Sequence, residues 1–139
     1  MNSYSKPLPN IDEENEAFWN GLKEHNFLLM KCKKCGAWYW PAAYCRFHEN
    51  EPFMGNMEWV RSSGSGKIFA YNIHNRAFHP GFQNDIPYVY ALIELDEGPM
   101  FATMIVDVKP DEVKHGAPVQ VVYEDTEAGF TLPKFKLIR

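Results

Sequence analysis

The sequence predicts a mainly β chain with one leading helix, and three observations predict it. Past residue 56, apolar residues recur in short alternating runs separated by turn residues. Between residues 27 and 55 sit all three cysteines, closely paired and flanked by two short apolar runs. Ahead of them, an acidic turn opens a single amphipathic stretch. The 139 residues therefore divide into a docking helix (1–26), a cysteine-bearing ribbon (27–55) and a β barrel (56–139).

The helix is expected from about Ile11 to Asn26. Asp12, Glu13, Glu14 and Glu16 suit the positive end of a helix dipole, and Asp12 fits the N-cap. Phe18, Trp19 and Leu22 share one face by the i, i+3, i+4 rule, and His25-Asn26 marks the end. One short helix is marginal in water, so its aromatic face must dock on something.

In the ribbon, Phe27–Lys31 and Ala37–Pro41 read as strands around Cys32-Lys33-Lys34-Cys35-Gly36. In the barrel, Ser62–Gly66 is a turn and Lys67–Ala77 alternates. Pro87–Asp96 and Met100–Val108 form a hairpin around Glu97-Gly98. Pro110–Gly116 reads as a single helical turn, with Pro at its start and Gly past its end. Val119–Tyr123 and Phe130–Ile138 supply the last strands. Five or six strands with one short helix after the third or fourth fit a small Greek-key barrel of the OB type. A β-sandwich is the competing arrangement, and it usually needs more strands.

Composition narrows the function. Hydrophobic residues make up 45% and charged residues 23%, a globular balance. The net charge of −4 argues against a general nucleic-acid binder, which is usually basic. An odd cysteine count argues against a secreted disulfide scaffold. Met1–Asn10 lacks the apolar core of a signal peptide. No stretch approaches the ~20 apolar residues that span a bilayer. The expectation is a soluble, cytoplasmic protein whose thiols are free for metal or chemistry.

The sharpest signal is Cys32-x2-Cys35-x9-Cys45-x2-His48. Two close ligand pairs joined by a short loop suit a tetrahedral ion, and Cys₃His is a known structural zinc set. Gly36 can take the positive φ that a tight knuckle needs. Glu49 is the alternative to His48 as fourth ligand. All four positions are filled, so the site reads as structural; a catalytic zinc keeps one position open. Lys31, Lys33, Lys34 and Arg46 surround the ligands, either as a solvated surface or as a partner contact.

Further motifs run along almost the whole chain: Phe18-Trp19-x-Gly21-Leu22, Cys32-x2-Cys35-Gly36 and Pro41. They continue with Gly64-x-Gly66-Lys67-Ile68, His79-Pro80-Gly81-Phe82, Pro87-Tyr88-Val89, Glu94-Leu95-Asp96-Glu97-Gly98 and Gly116-x-Pro118-Val119. Together they resemble a family in which a rubredoxin-like zinc ribbon precedes an acyl-CoA-associated OB fold, domain of unknown function 35. His48 departs from it, standing where the family usually has a fourth cysteine. The resemblance implies a small subunit that pairs with a thiolase-like catalytic subunit, or with an acyl-CoA hydratase or aldolase. It also implies one structural zinc ion and a coenzyme A thioester shared with the partner.

The residues can be tested against that implication. A thiolase needs a nucleophilic cysteine with a nearby histidine, and here Cys32, Cys35 and Cys45 are all claimed by the metal. No Gly-x-Ser-x-Gly elbow, phosphate loop or dinucleotide fingerprint occurs. His74, His79 and Asp85 could form an acid–base or metal cluster, but strand and loop positions fix no relation among them. No turnover by the isolated chain is therefore expected. Coenzyme A would suit a loop with small residues, aromatics and a cation, and Arg76, Phe78, His79, Gly81 and Phe82 provide these. The competing reading is a long barrel loop closed by core aromatics. Trp38-Tyr39-Trp40 is expected to turn one face to the chain and the other to a partner. Single-stranded nucleic-acid binding is the rival class, since ribbons and OB folds both do this. From Asn56 on, eight basic side chains stand against eleven acidic ones, so the electrostatic funnel for phosphates is missing.

Overall fold

Eight residues, Glu16–Lys23, form helix α1. The acidic run ahead of it folds as a separate turn. The Asp12 carboxylate accepts from the Glu14 and Asn15 amides at 3.0 Å, and Asn15 Oδ1 accepts from the Asp12 amide at 2.8 Å. Asp12 thus caps this turn and not the helix, which begins only at Glu16. The helix ends at Lys23, short of the expected Asn26, and His25-Asn26 form the turn that caps it. His25 takes left-handed backbone (φ 59°), its amide donates to Leu22 O at 2.9 Å, and the Asn26 amide donates to Gly21 O at 2.8 Å. This motif satisfies the last carbonyls of the helix.

The computed structural model describes residues 4–41, 44–48, 52 and 55–139. Strands β1 (Leu28–Cys32), β2 (Trp38–Tyr39) and β3 (Met57–Arg61) form an antiparallel sheet in the order β2-β1-β3. β2 is only two residues long, shorter than its apolar run suggests. β3 lies beyond residue 55 yet pairs along all of β1, with Cys32 opposite Met57. Its alternation (Met57, Trp59) is too brief to stand out in the sequence.

Strands β4 (Ser65–His74), β5 (Tyr88–Leu95), β6 (Met100–Ile105), β7 (Pro118–Asp125) and β8 (Thr131–Leu137) close into a barrel in the order β4-β5-β6-β8-β7. The pair β6–β8 is parallel and the others are antiparallel. A 3-10 turn at Pro110–Glu112 separates β6 from β7, and another at Pro80–Phe82 lies in the β4–β5 loop. Five strands, closed, with the short turn after the third, make an OB-type barrel; the closure excludes the sandwich. Among the described residues, no helix is long and apolar enough to cross a membrane.

Ribbon joins barrel through a tight corner. The Ser62 hydroxyl and the Ser63 amide both donate to the Glu97 carboxylate, at 2.9 and 2.8 Å. Gly64 follows with φ 73°, and a Cβ there would strike Val121. A Cβ on Gly66 would come within 2.6 Å of Glu94 O. Close backbone approach thus explains the Gly64-x-Gly66 pattern.

One aromatic core unites the parts. Phe18 of α1 lies 4.3 Å from Trp40 of the ribbon, and Trp40 lies 5.3 Å from Phe101 of the barrel. Phe27 sits 5.0 Å from Phe101 and 6.0 Å from Phe135, edge to face. Trp38, Trp40 and Trp59 pack against this cluster, whereas Tyr39 packs on a second one formed by Met30, Cys32, Cys45 and Met57. Trp38, Tyr39 and Trp40 thus all find packing within the chain and stay half-buried. A two-residue strand lets the chain turn at once, and both faces find packing inside the molecule. Phe18→Ala should cost about 3–5 kcal/mol, because the cavity opens where three parts meet. Urea unfolding should show ribbon and barrel destabilised together, while Leu8→Ala, at an exposed position, stays within about 0.5 kcal/mol.

Candidate metal centre and the adjoining groove

β1 ends on Cys32, and the chain then folds back over a tight knuckle. The Gly36 amide donates to Cys32 O at 2.9 Å, and the Cys32 amide donates to Ala37 O at 2.9 Å. Gly36 takes φ 75°, as the knuckle requires. The second pair closes similarly, with the His48 amide donating to Cys45 O at 3.0 Å. The ligand atoms of Cys32, Cys35, Cys45 and His48 all lie within 4.8 Å of one another. Cys32 and Cys45 are buried, His48 is half-buried and Cys35 is exposed.

The spacing fits a tetrahedral ion. Zn–S bonds of about 2.3 Å and Zn–N bonds of about 2.0 Å imply edges of roughly 3.8 Å (S–S) and 3.5 Å (S–N). Cys35 Sγ lies 3.6 Å from Cys45 Sγ, and Cys32 Sγ lies 3.5 Å from His48 Nδ1. Three soft thiolates and one imidazole are a zinc donor set, with all four positions filled from the protein. Glu49, the alternative fourth ligand, lies outside the described residues.

At Cys45 the surroundings favour thiolate. Burial pushes the Cys45 thiol up, but the Tyr39 hydroxyl, the Phe47 amide, His48 and Cys35 outweigh it and hold the thiol down at about 6. The Tyr39 hydroxyl sits 3.2 Å from Cys45 Sγ and accepts from the Arg46 amide at 3.1 Å. When Cys45 is a thiolate, that hydroxyl is the donor of the pair. At Cys35 the Ala37 amide favours the thiolate, yet desolvation and the Cys45 and Cys32 sulfurs outweigh it and raise the thiol. A divalent cation relieves that crowding. Of the surrounding bases, Lys31 lies over the Trp38 ring at 4.9 Å and Arg46 over Tyr39 at 6.0 Å.

The loop proposed for coenzyme A is split by the structure. Arg76 and Phe78 are exposed. His79 Nδ1 accepts from the Gly81 amide at 2.9 Å and caps the 3-10 turn. Gly81 is pressed against the Ser5 backbone, so any side chain there would displace the N-terminal segment. Phe82 lies under Lys6, 5.3 Å away, and Lys6 bonds Asp85 at 3.0 Å. Asp85 is thus committed to Lys6, and His74 stacks on Tyr88 at 4.8 Å. Among the described residues, the cysteine–histidine set is the one metal-type cluster, so His74, His79 and Asp85 form none.

Beside the loop runs a groove of about 520 Å³ that sequence reasoning missed. Phe82, Tyr88, Tyr90, Trp19 and Met104 give it apolar walls, with Lys6 and Lys134 at its rim. It joins the N-terminal segment, α1 and three barrel strands. No local pattern could have revealed so discontinuous a wall.

A ribbon with a four-ligand metal set, fused to an OB barrel, is the class of protein that this fold and site define. The chain belongs to the DUF35 family. The family model for the ChsH2 rubredoxin-like zinc ribbon domain matches residues 19–47, and that for the ChsH2 C-terminal OB-fold domain matches residues 59–124. A DUF35 domain-containing scaffold protein of Methanocaldococcus jannaschii is 36% identical over 110 residues, covering 76% of this chain and 73% of that protein. A probable enoyl-CoA hydratase alpha subunit of Thermomonospora curvata is 29% identical over 133 residues. That match covers 94% of this chain but only 40% of the relative's length. Among solved structures, a chain of the Ltp2-ChsH2(DUF35) aldolase matches with a TM-score of 0.80 and 27% identity, covering 94% of this chain and 98% of that one.

Removing the Tyr39 hydroxyl should loosen the metal without unfolding the sheet. Tyr39→Phe is expected to weaken zinc binding about tenfold, read by competition with a chromogenic chelator. Unchanged competition would show that the hydroxyl does not support Cys45.

Proposed function

We propose that this chain is a non-catalytic, zinc-stapled subunit of an acyl-CoA enzyme complex. The observation that carries the reading is the likeness to a chain of the Ltp2-ChsH2(DUF35) aldolase, which runs through ribbon and barrel alike. The ion is held by Cys32, Cys35, Cys45 and His48 and fixes the ribbon. Because all three cysteines lie in that cluster, the thiol for any thiolase-type step comes from the partner. The partner is a thiolase-like enzyme acting at a carbon–carbon bond beside the thioester, and the aldolase likeness supports this. A hydratase partner is the second reading, favoured by the similarity to the Thermomonospora curvata subunit.

In this reading the coenzyme A thioester lies against the β4–β5 loop and the groove. Phe82 lines the groove beside Tyr88 and Tyr90, and exposed Arg76 offers a cation for phosphate. The nucleic-acid alternative loses support here. OB barrels take oligonucleotides on the face of their second and third strands. In this chain Tyr4, Lys6, Pro7, Phe18 and Trp19 line the same groove as β5 and β6 residues, which narrows that face.

Co-purification from the native host tests the reading. An acyl-CoA thiolase, aldolase or hydratase should accompany the chain in fixed stoichiometry, and a lone monomer would overturn it. In the assembled complex, Arg76→Glu should raise the KM for acyl-CoA severalfold with kcat little changed; an unchanged KM removes this loop from the thioester site.

A further inference from the structure

Only the first part of β4 is closed into the barrel. β7 pairs with Ser65–Lys67 alone. The next turn occupies Ile68, whose amide donates to Ala117 O at 3.0 Å and whose carbonyl accepts from the Gly116 amide at 2.7 Å. A register shift between Ile68 and Ala70 then carries the strand past the closure. From Phe69 to His74, β5 lies on one side and, among the described residues, no strand lies on the other. An antiparallel edge of this kind turns N–H and C=O groups outward at alternate residues.

Its side chains do not protect it. Phe69, Tyr71 and Ile73 are exposed hydrophobics, as are Tyr90 and Leu92 on the adjoining strand. No charged residue and no proline stands between Lys67 and Arg76. Free edges normally carry a lysine or a proline, or stay very short, to prevent pairing with another chain. Past the irregularity at Ile68/Ala70 this one carries no lysine and no proline and is not short, and a free backbone edge is completed by another strand.

Charge selects the strand. Exposed Lys67, Lys114 and His115 stand at one end of the edge and exposed Arg76 at the other. Lys114 and His115 belong to the turn beside Ile68, and the His115 ring lies 6.4 Å from that of Phe69. Lys67 reaches Glu94 at 3.7 Å, and both groups stay well exposed. Antiparallel pairing of two copies about Tyr71 or Asn72 would bring Arg76 of one opposite Gly66 or Ile68 of the other, one residue from Lys67, at both ends. Like charges brought within a few ångströms of one another oppose self-pairing.

We propose that the Phe69–His74 edge is a strand-addition site for an extended segment of the catalytic partner, uncharged at its centre and acidic at both ends. This rests on reading the chain as a partner subunit. Main-chain bonds would supply affinity, while the flanking cations would set direction and register.

Hydrogen exchange on the free chain and on the co-purified complex tests it. Amides of residues 69–74 should exchange about tenfold or more slowly in the complex. The double variant Tyr71→Lys/Ile73→Lys should weaken association about tenfold or more, with zinc content and circular dichroism unchanged. Should that variant misfold, exchange on the unaltered protein still decides. A co-purifying catalytic subunit that leaves 69–74 unprotected overturns the inference and leaves the subunit reading standing. Concentration-dependent protection in the free chain means that a second copy covers the edge, and also overturns it. If no catalytic subunit co-purifies, the subunit reading has failed. The edge is then judged with a synthetic peptide of alternating valine and threonine bearing glutamates at both ends. Protection by that peptide supports the strand-addition chemistry, and none refutes it.

Discussion

Phe18, Trp40 and Phe101 come from three different parts of the chain and share one packed cluster, with neighbouring centroids 4.3 and 5.3 Å apart. The helix and the ribbon each have too little core of their own. The helix has eight residues, below the length at which isolated helices persist. The ribbon sheet has three short strands, and its own buried cluster is just Met30, Cys32, Cys45 and Met57. The barrel supplies the large apolar surface on which both rest. Secondary contacts then fix their angles. Tyr4 and Trp19 meet Phe130, while His25 stacks on Tyr123 at 4.6 Å and bonds Asp125 at 3.0 Å. Ribbon and barrel are therefore one body, and the metal centre is held at a set place relative to the groove.

Features specified by local chemistry were legible in the sequence. The spacing of Cys32, Cys35, Cys45 and His48 encodes chelation, and the geometry assembles all four. Strand alternation and the Glu97-Gly98 turn encode the β5–β6 hairpin, where the Gly98 amide closes on Leu95 O at 2.8 Å. Features set by distant contacts were not legible. Asp12 looks like a helix cap until Asn15 answers it across a separate turn. The roles of Gly81 and Phe82 depend on Ser5 and Lys6, more than seventy residues away. Trp38-Tyr39-Trp40 looks like a docking patch because sequence cannot show that two clusters await it. One run of exposed apolar side chains lies on β4 and β5, where alternation alone suggested an ordinary barrel strand.

Helix α1 and the N-terminal segment also reshape the barrel's face. They share a wall with the face that such barrels usually offer to polymers, and turn it into a bounded groove. Lys6 is the fastener, bonded to Asp85 and lying over Phe82, so the segment is tied to the same loop that the thioester reading invokes.

The pairing of Cys32 with Met57 has a consequence for the ion. The Lys33 amide donates to Asn56 O at 2.7 Å just beyond that pair, so the sheet pins both stems of the ligand-bearing loop. Pairing of β3 with β1 therefore carries part of the entropic cost of closing that loop. In small zinc fingers the ion must itself gather the chain, and folding and metal uptake are one event. Here strand pairing shares that task with the ion, because the sheet holds both stems of the loop that carries Cys35, Cys45 and His48.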